Sequence, residues 1–202
     1  MAASWGVVVP VKRLALAKTR LSTYGDSRRR ELALAFAADV VTAALEVAVV
    51  LVVTDDEEAA FLVSALGARV AADDPDAGLN PALSHGADLL RTLVDGVATL
   101  SADLPAMRPE HLAEVLALVG PGRRGFVSDV RGTGTTLLAA GAGAELLPGF
   151  GAGSRIGHLA SGAVELAAAA GLRQDVDTPD DLRAALQLGV GPRTAAAAVG
   201  LS

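Results

Sequence analysis

The chain has 202 residues, of which 51% are hydrophobic, and its formal net charge is −6. This length suits one α/β domain, and the hydrophobic share argues against a disordered chain. The negative charge disfavours a nucleic-acid-binding protein, and the absence of cysteine excludes a disulfide framework or a thiolate metal site. The first residues lack the basic-then-apolar order of a secretory signal, and charges interrupt every apolar run before membrane-spanning length. We therefore expect a soluble, cytoplasmic protein without nucleic-acid or membrane partners.

Apolar runs typical of strands alternate with helical patterns along the first three-quarters of the chain. The predicted strands are 5–11, 47–54, 68–71 and 96–101, and the helices that follow them are 27–46, 55–66, 81–94 and 109–119. Two β runs at 126–130 and 135–140 form either a hairpin or a connection between non-adjacent strands. A helix at 155–170, a strand at 172–176 and a last helix from Pro179 complete the pattern. Residues 1–189 are predicted to form a single domain, and residues 190–202 a flexible tail.

This alternation predicts an α/β fold, a three-layer sandwich in which helices cover both faces of a mostly parallel, mixed, Rossmann-like sheet. Ligands of such sheets bind beyond the carboxyl ends of the strands. Four charged residues directly follow predicted strands, and they should line one crevice: Lys12, Asp55, Asp73 and Asp103.

The loop after the first strand carries the only two lysines, Lys12 and Lys18, together with Arg13 and Arg20. Neither lysine follows a glycine and the loop contains none, which excludes a Walker A loop and a dinucleotide fingerprint. These cations could neutralise a nucleoside triphosphate and its leaving pyrophosphate, although a solvated charged loop is the alternative.

Carboxylates stand at two further strand ends. Asp103 ends an apolar strand, and alternation sends Asp175 and Asp177 to one side of the predicted strand 172–176. One or two carboxylates completed by substrate phosphates suit Mg²⁺. The alternatives are that Asp103 caps a turn and that Asp175 and Asp177 only favour the following helix dipole.

Two glycine-rich loops, 132–136 and 149–154, could hold a second anion through backbone amides and hydroxyls. The second loop opens onto a helix N-terminus, which is a favourable seat for phosphate or carboxylate. Ordinary turns are the competing interpretation, and His158 is expected to serve in packing or capping.

These segments, taken in order, resemble the guanylyltransferases of deazaflavin coenzyme F-420 biosynthesis, within the nucleotide-diphospho-sugar transferase superfamily. The matching stretches are VPVKRLALAKTRLS, DPDAGLNPAL, LSADLPAM, GTGTTLL, FGAGSRIGHL and DVDTPDDL, and they span roughly residues 7–188. SADLP and DVDTP recur throughout the wider superfamily, whereas the first, second and fifth stretches are distinctive. The first loop of the wider group usually carries glycines, so their absence favours the deazaflavin branch.

The resemblance implies a nucleotidyltransferase fold and Mg²⁺-dependent transfer of GMP from GTP to phosphoenolpyruvate, giving enolpyruvyl-diphospho-guanosine and pyrophosphate. It leaves 2-phospho-L-lactate open as the acceptor. The implied triphosphate-binding residues are Lys12, Lys18 and Arg20, and the implied nucleotide contacts are Gly78, Leu79, Asn80 and Ser101. The implied Mg²⁺ ligands are Asp103 with Asp175 or Asp177, and the implied acceptor contacts are Gly151, Ser154 and either Thr135 or Thr136.

Such a reaction needs no general base, because the acceptor phosphate is already ionised at neutral pH. The alternatives are a sister transferase that uses CTP, or GTP with another acceptor, and a non-catalytic nucleotide-binding domain. The oligomeric state is left open, with a homodimer as one alternative.

Overall fold

The computed structural model describes residues 3–12, 19–73 and 77–201. At its centre is a seven-stranded sheet whose strand order is β3-β2-β1-β4-β6-β5-β7. Every pairing is parallel except the two that β6 makes, with β4 and with β5. The predicted mostly parallel, mixed α/β sheet is therefore confirmed. The strands are β1 (Trp5–Pro10), β2 (Val49–Val53), β3 (Arg69–Ala71), β4 (Gly96–Leu100), β5 (Arg124–Ser128), β6 (Thr135–Ala140) and β7 (Val164–Glu165).

Helices cover both faces of this sheet, because the buried strands carry apolar side chains on each side. In β1, Val7 and Val9 belong to one hydrophobic core, whereas Val8 belongs to the other. The first core includes α1, α2 and α4, and the second includes α3. The helices are α1 (Asp26–Leu45), α2 (Glu57–Ala65), α3 (Leu79–Leu90), α4 (Pro109–Ala117), α5 (Ser154–Ala160), α6 (Ala170–Arg173), α7 (Pro179–Leu188) and α8 (Pro192–Ala197), with a 3-10 helix at Thr19–Tyr24.

Helix α3 lies unusually close to the sheet, and a glycine makes this approach feasible. A Cβ atom at Gly86 would stand 2.7 Å from Cγ1 of Val8 and 2.9 Å from Cγ2 of Val53. Side chains in cores do not tolerate such distances without a shift. The close packing fixes the N-terminus of α3 beside the ends of β1 and β2.

One edge of the sheet collects the segments that carry the predicted site. The carboxyl ends of β1, β2, β4 and β5 meet there, and the antiparallel β6 brings its amino end, Thr135, to the same edge. The loop from Asp129 to Gly134 joins β5 to β6 as a hairpin, which resolves the alternative left open by the sequence.

The predicted helix 155–170 is wrong beyond Ala160. Helix α5 ends there, and Gly162 takes a φ of 87°, which is left-handed and suits glycine. The chain then forms β7, whose Val164 and Glu165 pair in parallel with Gly125 and Phe126 of β5. The helical pattern of this stretch gives way to strand pairing at an open sheet edge.

The predicted strand 172–176 is also wrong. Residues 170–173 form the short helix α6, and the chain then runs past Asp103, whose carbonyl accepts a hydrogen bond from the Val176 backbone at 3.0 Å. The backbone of this segment bonds instead to the residues that follow β4 and β5, since the Arg173 carbonyl also accepts from the Val130 backbone at 3.0 Å.

Residues 192–197 do not belong to a flexible tail, contrary to the prediction from the sequence. These residues form α8, which packs against α1 with Thr194 and Ala197 buried. The carboxylate of Asp39 accepts hydrogen bonds from the backbone of Arg193 at 3.2 Å and of Thr194 at 2.8 Å. A cap supplied from 155 residues away leaves no local signal in the sequence.

Among the described residues, no helix combines the length and the hydropathy that crossing a membrane requires.

Candidate active site

A cleft of about 420 Å³ opens at the carboxyl edge of the sheet, between the ends of β1 and β2 and the N-terminus of α3. Its wall combines one cation with two carboxylates, Lys12 with Asp55 and Asp73, which are three of the four residues predicted to line one crevice. The fourth, Asp103, is not among the described residues that line this cleft. The lining residues of the cleft are Pro10, Val11, Lys12, Val53, Thr54, Asp55, Asp73, Gly78, Leu79 and Ala82.

A second, small pocket of about 30 Å³ shares Pro10 and Leu79 with this cleft and extends to Ser101 and Phe150. Four of the predicted nucleotide contacts therefore line one of two pockets that share a wall: Lys12, Gly78, Leu79 and Ser101. Two of the other predicted cations, Lys18 and Arg13, lie outside the described residues. The third, Arg20, belongs to the 3-10 helix at Thr19–Tyr24.

Asp103 and the 175–177 segment are neighbours, although they are distant in sequence. The hydrogen bond from Val176 to the Asp103 carbonyl ties the two backbones together, and Oδ1 of Asp103 is shielded from solvent. Asp181 is the main cause of the raised pKa of Arg131, and the charges of Asp175 and Asp177 add to it, so both carboxylates lie within electrostatic reach of the loop 129–134.

Asp181 anchors this acidic region. Its carboxylate accepts two hydrogen bonds from Nη2 of Arg131, at 2.8 and 2.9 Å, and further bonds from the backbones of Asp177 and Thr178. Burial alone would raise the pKa of Asp181, but the hydrogen bonds from Thr178 and Asp177 and the charge of Arg131 outweigh it and lower the pKa. Asp181 therefore stays ionised and joins the first glycine-rich loop to α7.

The three predicted metal ligands do not form a closed cage. Across residues 3–12, 19–73 and 77–201, no three Asp, Glu or His side chains are grouped closely enough to hold a metal ion by themselves. Asp103 with a carboxylate from Asp175 or Asp177 would be an open set of hard oxygen donors, and their role as metal ligands stays a prediction. Such a set suits a divalent ion that takes its other ligands from phosphates and water.

The first glycine-rich loop is organised by Asp129 at the end of β5. Its carboxylate accepts hydrogen bonds from the backbone amides of Thr133 at 2.8 Å and of Gly134 at 2.9 Å. A Cβ atom at Gly134 would stand 2.7 Å from this carboxylate, so glycine is needed for the close contact. The second loop is tied to the first, because the Arg155 backbone donates to the carbonyl of Thr133 at 3.2 Å.

The two threonines that the resemblance left open make different hydrogen bonds in the structure. The Thr136 hydroxyl donates to the Leu172 carbonyl at 2.7 Å and is buried, so any contact of Thr136 with an acceptor would use its backbone. The strand register shifts at this point, and such bulges re-aim the backbone beside active sites. The Thr135 hydroxyl is also buried and accepts a hydrogen bond from the Ser154 hydroxyl at 3.2 Å, which brings two of the predicted acceptor residues together.

His158 has a larger role than the packing or capping expected from the sequence. It is 1% exposed, and its Nε2 accepts a hydrogen bond from the backbone of Gly149 at 3.1 Å. A backbone amide can only donate, so the proton of the neutral ring sits on Nδ1, which then donates to the Thr135 hydroxyl at 2.9 Å. The neutral ring thus joins the two glycine-rich loops. A lone histidine inside a helical pattern offers no sequence signal for this.

Acidification should weaken this connection. Burial, and secondarily the charge of Arg124, lowers the pKa of His158, so the unfolded chain takes up the proton first, at a pH of about 6.5. The folded state therefore loses stability as the pH falls below that value. Between pH 7 and pH 5 we expect the melting temperature of the wild type to fall about 2–4 °C more than that of His158→Gln, as followed by circular dichroism.

The matched control for this comparison is His85→Gln, because His85 is half-buried on α3 at a distance from the two loops. Its acid profile should follow that of the wild type. Equal losses in the wild type and in His158→Gln would contradict the assigned protonation state.

Asn80 makes a two-point contact with the second glycine-rich loop. Its Nδ2 donates to the Phe150 carbonyl at 3.0 Å, and its Oδ1 accepts from the Phe150 backbone amide at 2.7 Å. Both polar ends of the side chain are thus engaged by the protein in this structure. The predicted contact of Asn80 with guanine stays a prediction, and in this conformation the amide serves the loop.

Comparisons with known proteins agree with this architecture. A nucleotidyl transferase from Methanothermobacter has a TM-score of 0.63 at 20% identity, covering 93% of this chain and 98% of that one. A Desulfovibrio desulfuricans protein described as a nucleotide-diphospho-sugar transferase has a TM-score of 0.67 at 17% identity, covering 88% and 84%. At these identities the similarity shows the fold alone.

Sequence relatives go further than the fold. A phosphoenolpyruvate guanylyltransferase of Thermomonospora curvata is 55% identical over 96% of this chain and 89% of its own. The enzyme of the same name from Streptomyces coelicolor is 57% identical over 98% and 97%. The family described as CofC-like guanylyl transferases matches residues 5–194. The chain belongs to this CofC-like guanylyl transferase family.

Proposed function

We propose that this protein transfers GMP from GTP to phosphoenolpyruvate, in the pathway to coenzyme F-420. The observation that carries the proposal is the arrangement of one sheet edge. A cation-bearing cleft, a pair of neighbouring carboxylate segments and two linked glycine-rich loops all open there. Relatives that are more than half identical along nearly the whole chain bear the name of this activity.

The cleft suits the nucleotide. Lys12 supplies positive charge at the end of β1, and the carboxylates of Asp55 and Asp73 supply hydrogen-bond acceptors. Oδ1 of Asp73 is shielded from solvent and receives no hydrogen bond from any residue in the described part of the chain. Guanine presents N–H donors at N1 and at its 2-amino group, so an aspartate oxygen in this cleft fits guanine.

We expect Asp73→Asn to reduce the preference for GTP over ITP, which lacks the 2-amino group. A hydrogen bond to a charged acceptor is worth about 1.5–3 kcal/mol, so the ratio of the two kcat/KM values should fall by roughly tenfold or more. Steady-state kinetics with both triphosphates measure this ratio. Glu57→Gln, an exposed change on α2 outside the cleft lining, should leave it unchanged.

The carboxylates of Asp103 and of Asp175 or Asp177 would hold the divalent ion that nucleotidyltransferases generally need, which we propose to be Mg²⁺. A bound Mg²⁺ would neutralise phosphate charge and polarise the α-phosphate. Lys12 would hold the triphosphate, as would Lys18 and Arg20 on the evidence of the resemblance alone. The hydroxyls of Thr135 and Ser154, the backbone of Thr136 and the Gly151 region would hold the acceptor.

The chemistry then requires positioning more than proton transfer. An oxygen of the acceptor phosphate forms a bond to the α-phosphorus of GTP, while the bond from that phosphorus to the bridging oxygen of the β-phosphate breaks. Pyrophosphate leaves with the electron pair, and no proton has to be removed from the nucleophile. The contribution of the protein is to align the two phosphates and to stabilise the charge of the transition state.

The direct test is mass spectrometry of the products formed from GTP and phosphoenolpyruvate with Mg²⁺. We expect enolpyruvyl-diphospho-guanosine together with one equivalent of pyrophosphate. Parallel reactions with 2-phospho-L-lactate and with CTP separate the alternative acceptor and the alternative donor. Turnover only with CTP, or no turnover with any pair, would refute the proposal. Both proposed substrates are metabolites of the cytoplasm, where we expect the enzyme to act.

A further inference from the structure

The contact between Asn80 and Phe150 crosses from one proposed substrate site to the other. Asn80 lies in the first turn of α3, directly after Gly78 and Leu79, which line the large cleft. Phe150 lies in the second glycine-rich loop, directly before Gly151 and 70 residues away from Asn80 in the sequence. The side chain of Asn80 therefore joins the nucleotide side of the edge to the acceptor side.

The geometry of the contact leaves a single orientation for the amide. The backbone N–H of Phe150 can only donate and its carbonyl can only accept, so Oδ1 faces the former and Nδ2 the latter. Two hydrogen bonds to one residue fix both the position and the rotation of the loop at Phe150. A single bond would leave that rotation free.

Phe150 is also held from the other side. Its ring packs edge-on against His158, with ring centroids 5.5 Å apart and an interplanar angle of 71°, and His158 binds the preceding residue, Gly149. The same ring lines the small pocket with Leu79 and Ser101. Hydrogen bonds thus hold the second glycine-rich loop from two sides, from His158 on the acceptor side and from Asn80 on the nucleotide side.

We propose that Asn80 is a positioning residue, which holds the second glycine-rich loop in register with the nucleotide cleft and couples binding of the acceptor to binding of GTP. The inference rests on the proposed function, because it needs an acceptor at Gly151 and Ser154. A nucleotide that orders the first turn of α3 also orders Asn80, the residue whose side chain holds Phe150. Acceptor binding and nucleotide binding must then strengthen each other by the same factor.

The sharpest test is Asn80→Asp, which keeps the size of the side chain and the acceptor for the Phe150 amide. It replaces the donating Nδ2 by an oxygen that faces the Phe150 carbonyl, and two acceptors repel. At pH 8 and saturating GTP we expect the KM for phosphoenolpyruvate to rise at least tenfold, since a lost hydrogen bond to a buried group costs about a factor of ten. The dissociation constant of GTP measured without phosphoenolpyruvate should change by less than about twofold. On acidification a protonated carboxyl can donate again, so the ratio of variant to wild-type KM should fall.

Asn80→Ala separates loop positioning from general damage to the fold. It loses both hydrogen bonds, so the KM for phosphoenolpyruvate should rise without any recovery at low pH. The KM for phosphoenolpyruvate should fall as GTP approaches saturation in the wild type, and this dependence should be lost in the variant. Asp88→Asn, an exposed change on the same helix, should behave as wild type in every assay.

The outcomes distinguish the inference from the proposed function. If either variant weakens the binding of GTP alone and leaves the KM for phosphoenolpyruvate unchanged, Asn80 contacts the nucleotide directly and the inference is overturned, while the proposed function stands. Equal losses in the binding of GTP alone and in the KM for phosphoenolpyruvate would overturn it as well, because they indicate damage to the whole site. If the wild type forms no product from GTP and phosphoenolpyruvate, the proposed function fails and the inference fails with it.

Discussion

Replacing Asp103 by asparagine should lower kcat for GMP transfer by about three orders of magnitude, because a metal ion contributes several kcal/mol of charge stabilisation and each 1.36 kcal/mol is tenfold in rate. Asp103 stands directly beyond the buried end of β4, and its carbonyl holds the 175–177 segment through Val176. Asparagine keeps this backbone contact and nearly the same volume. The substitution therefore removes a charge from the site rather than packing from the core.

Measurements of folding and of metal binding should accompany the kinetics of the Asp103→Asn variant. The variant should keep the far-ultraviolet circular dichroism and the melting temperature of the wild type to within a few degrees. Isothermal titration should show weaker binding of Mn²⁺, used as a probe, in the presence of GTP. Asp180→Asn is the matched control, because Asp180 is exposed on α7 and pairs with Arg183 rather than facing the cleft. Retained turnover in Asp103→Asn would remove the basis of the metal assignment.

The central strands of the sheet could be predicted because each is a short, continuous run of buried, mostly apolar residues. Runs such as Val7 to Val9 are apolar on both faces, and only a strand covered by helices on each side accommodates them. Once the strands are parallel, their carboxyl ends share an edge, and Lys12, Asp55, Asp73 and Asp103 follow those ends. The position of the cleft therefore follows from the topology, while the role of these residues stays a prediction.

The structure of the last third of the chain was harder to predict from the sequence, because it depends on contacts with residues that are distant in the chain. Residues 162–165 leave a helical pattern to pair with β5, and the 175–177 segment runs past Asp103 instead of joining the sheet. Helix α8 is capped by Asp39 from α1. Each of these choices is decided by a contact more than 35 residues away, and such contacts leave no periodicity to read.

The candidate site also combines features that the sequence indicates with features that depend on distant contacts. Residue types at strand ends indicated phosphate and metal chemistry, and the glycine-rich loops indicated a second anion. The sequence did not indicate the contacts that hold the two loops in place. Asn80 bonds to Phe150, which is 70 residues away, and His158 bonds to Thr135, which is 23 residues away. Family resemblance could name Asn80, but it could not show that both ends of its amide are engaged by the backbone of Phe150.

Lys12→Gln should lower kcat/KM for GTP by about a factor of 100 to 1000, the usual cost of removing one preorganised donor from a developing charge. Lys12 follows β1 at the cleft and faces the space bounded by Thr54 and Gly78. The net charge of −6 gives the triphosphate little general attraction, so local cations must supply it. The loss should appear mainly in kcat, because negative charge grows on the leaving pyrophosphate in the transition state.

Lys12→Arg tests whether charge alone is sufficient. An ammonium group is compact and offers donors in any direction, whereas a guanidinium is planar and wide. In a cleft of about 420 Å³ that must also hold a nucleotide, we expect the arginine variant to stay at least tenfold below wild type. Steady-state kinetics at two salt concentrations separate the causes: added salt should reduce the gap between wild type and Lys12→Gln, but not the gap between wild type and Lys12→Arg.

The control for both variants is Arg69→Gln, which removes an exposed cation at the amino end of β3, on the opposite edge of the sheet. It changes the net charge of the protein by the same amount as Lys12→Gln. If long-range attraction of GTP by the whole protein were responsible, the two variants would lose activity alike. If Lys12 acts on the phosphates directly, only the Lys12 variants should be impaired, and wild-type rates in Lys12→Gln would exclude that role.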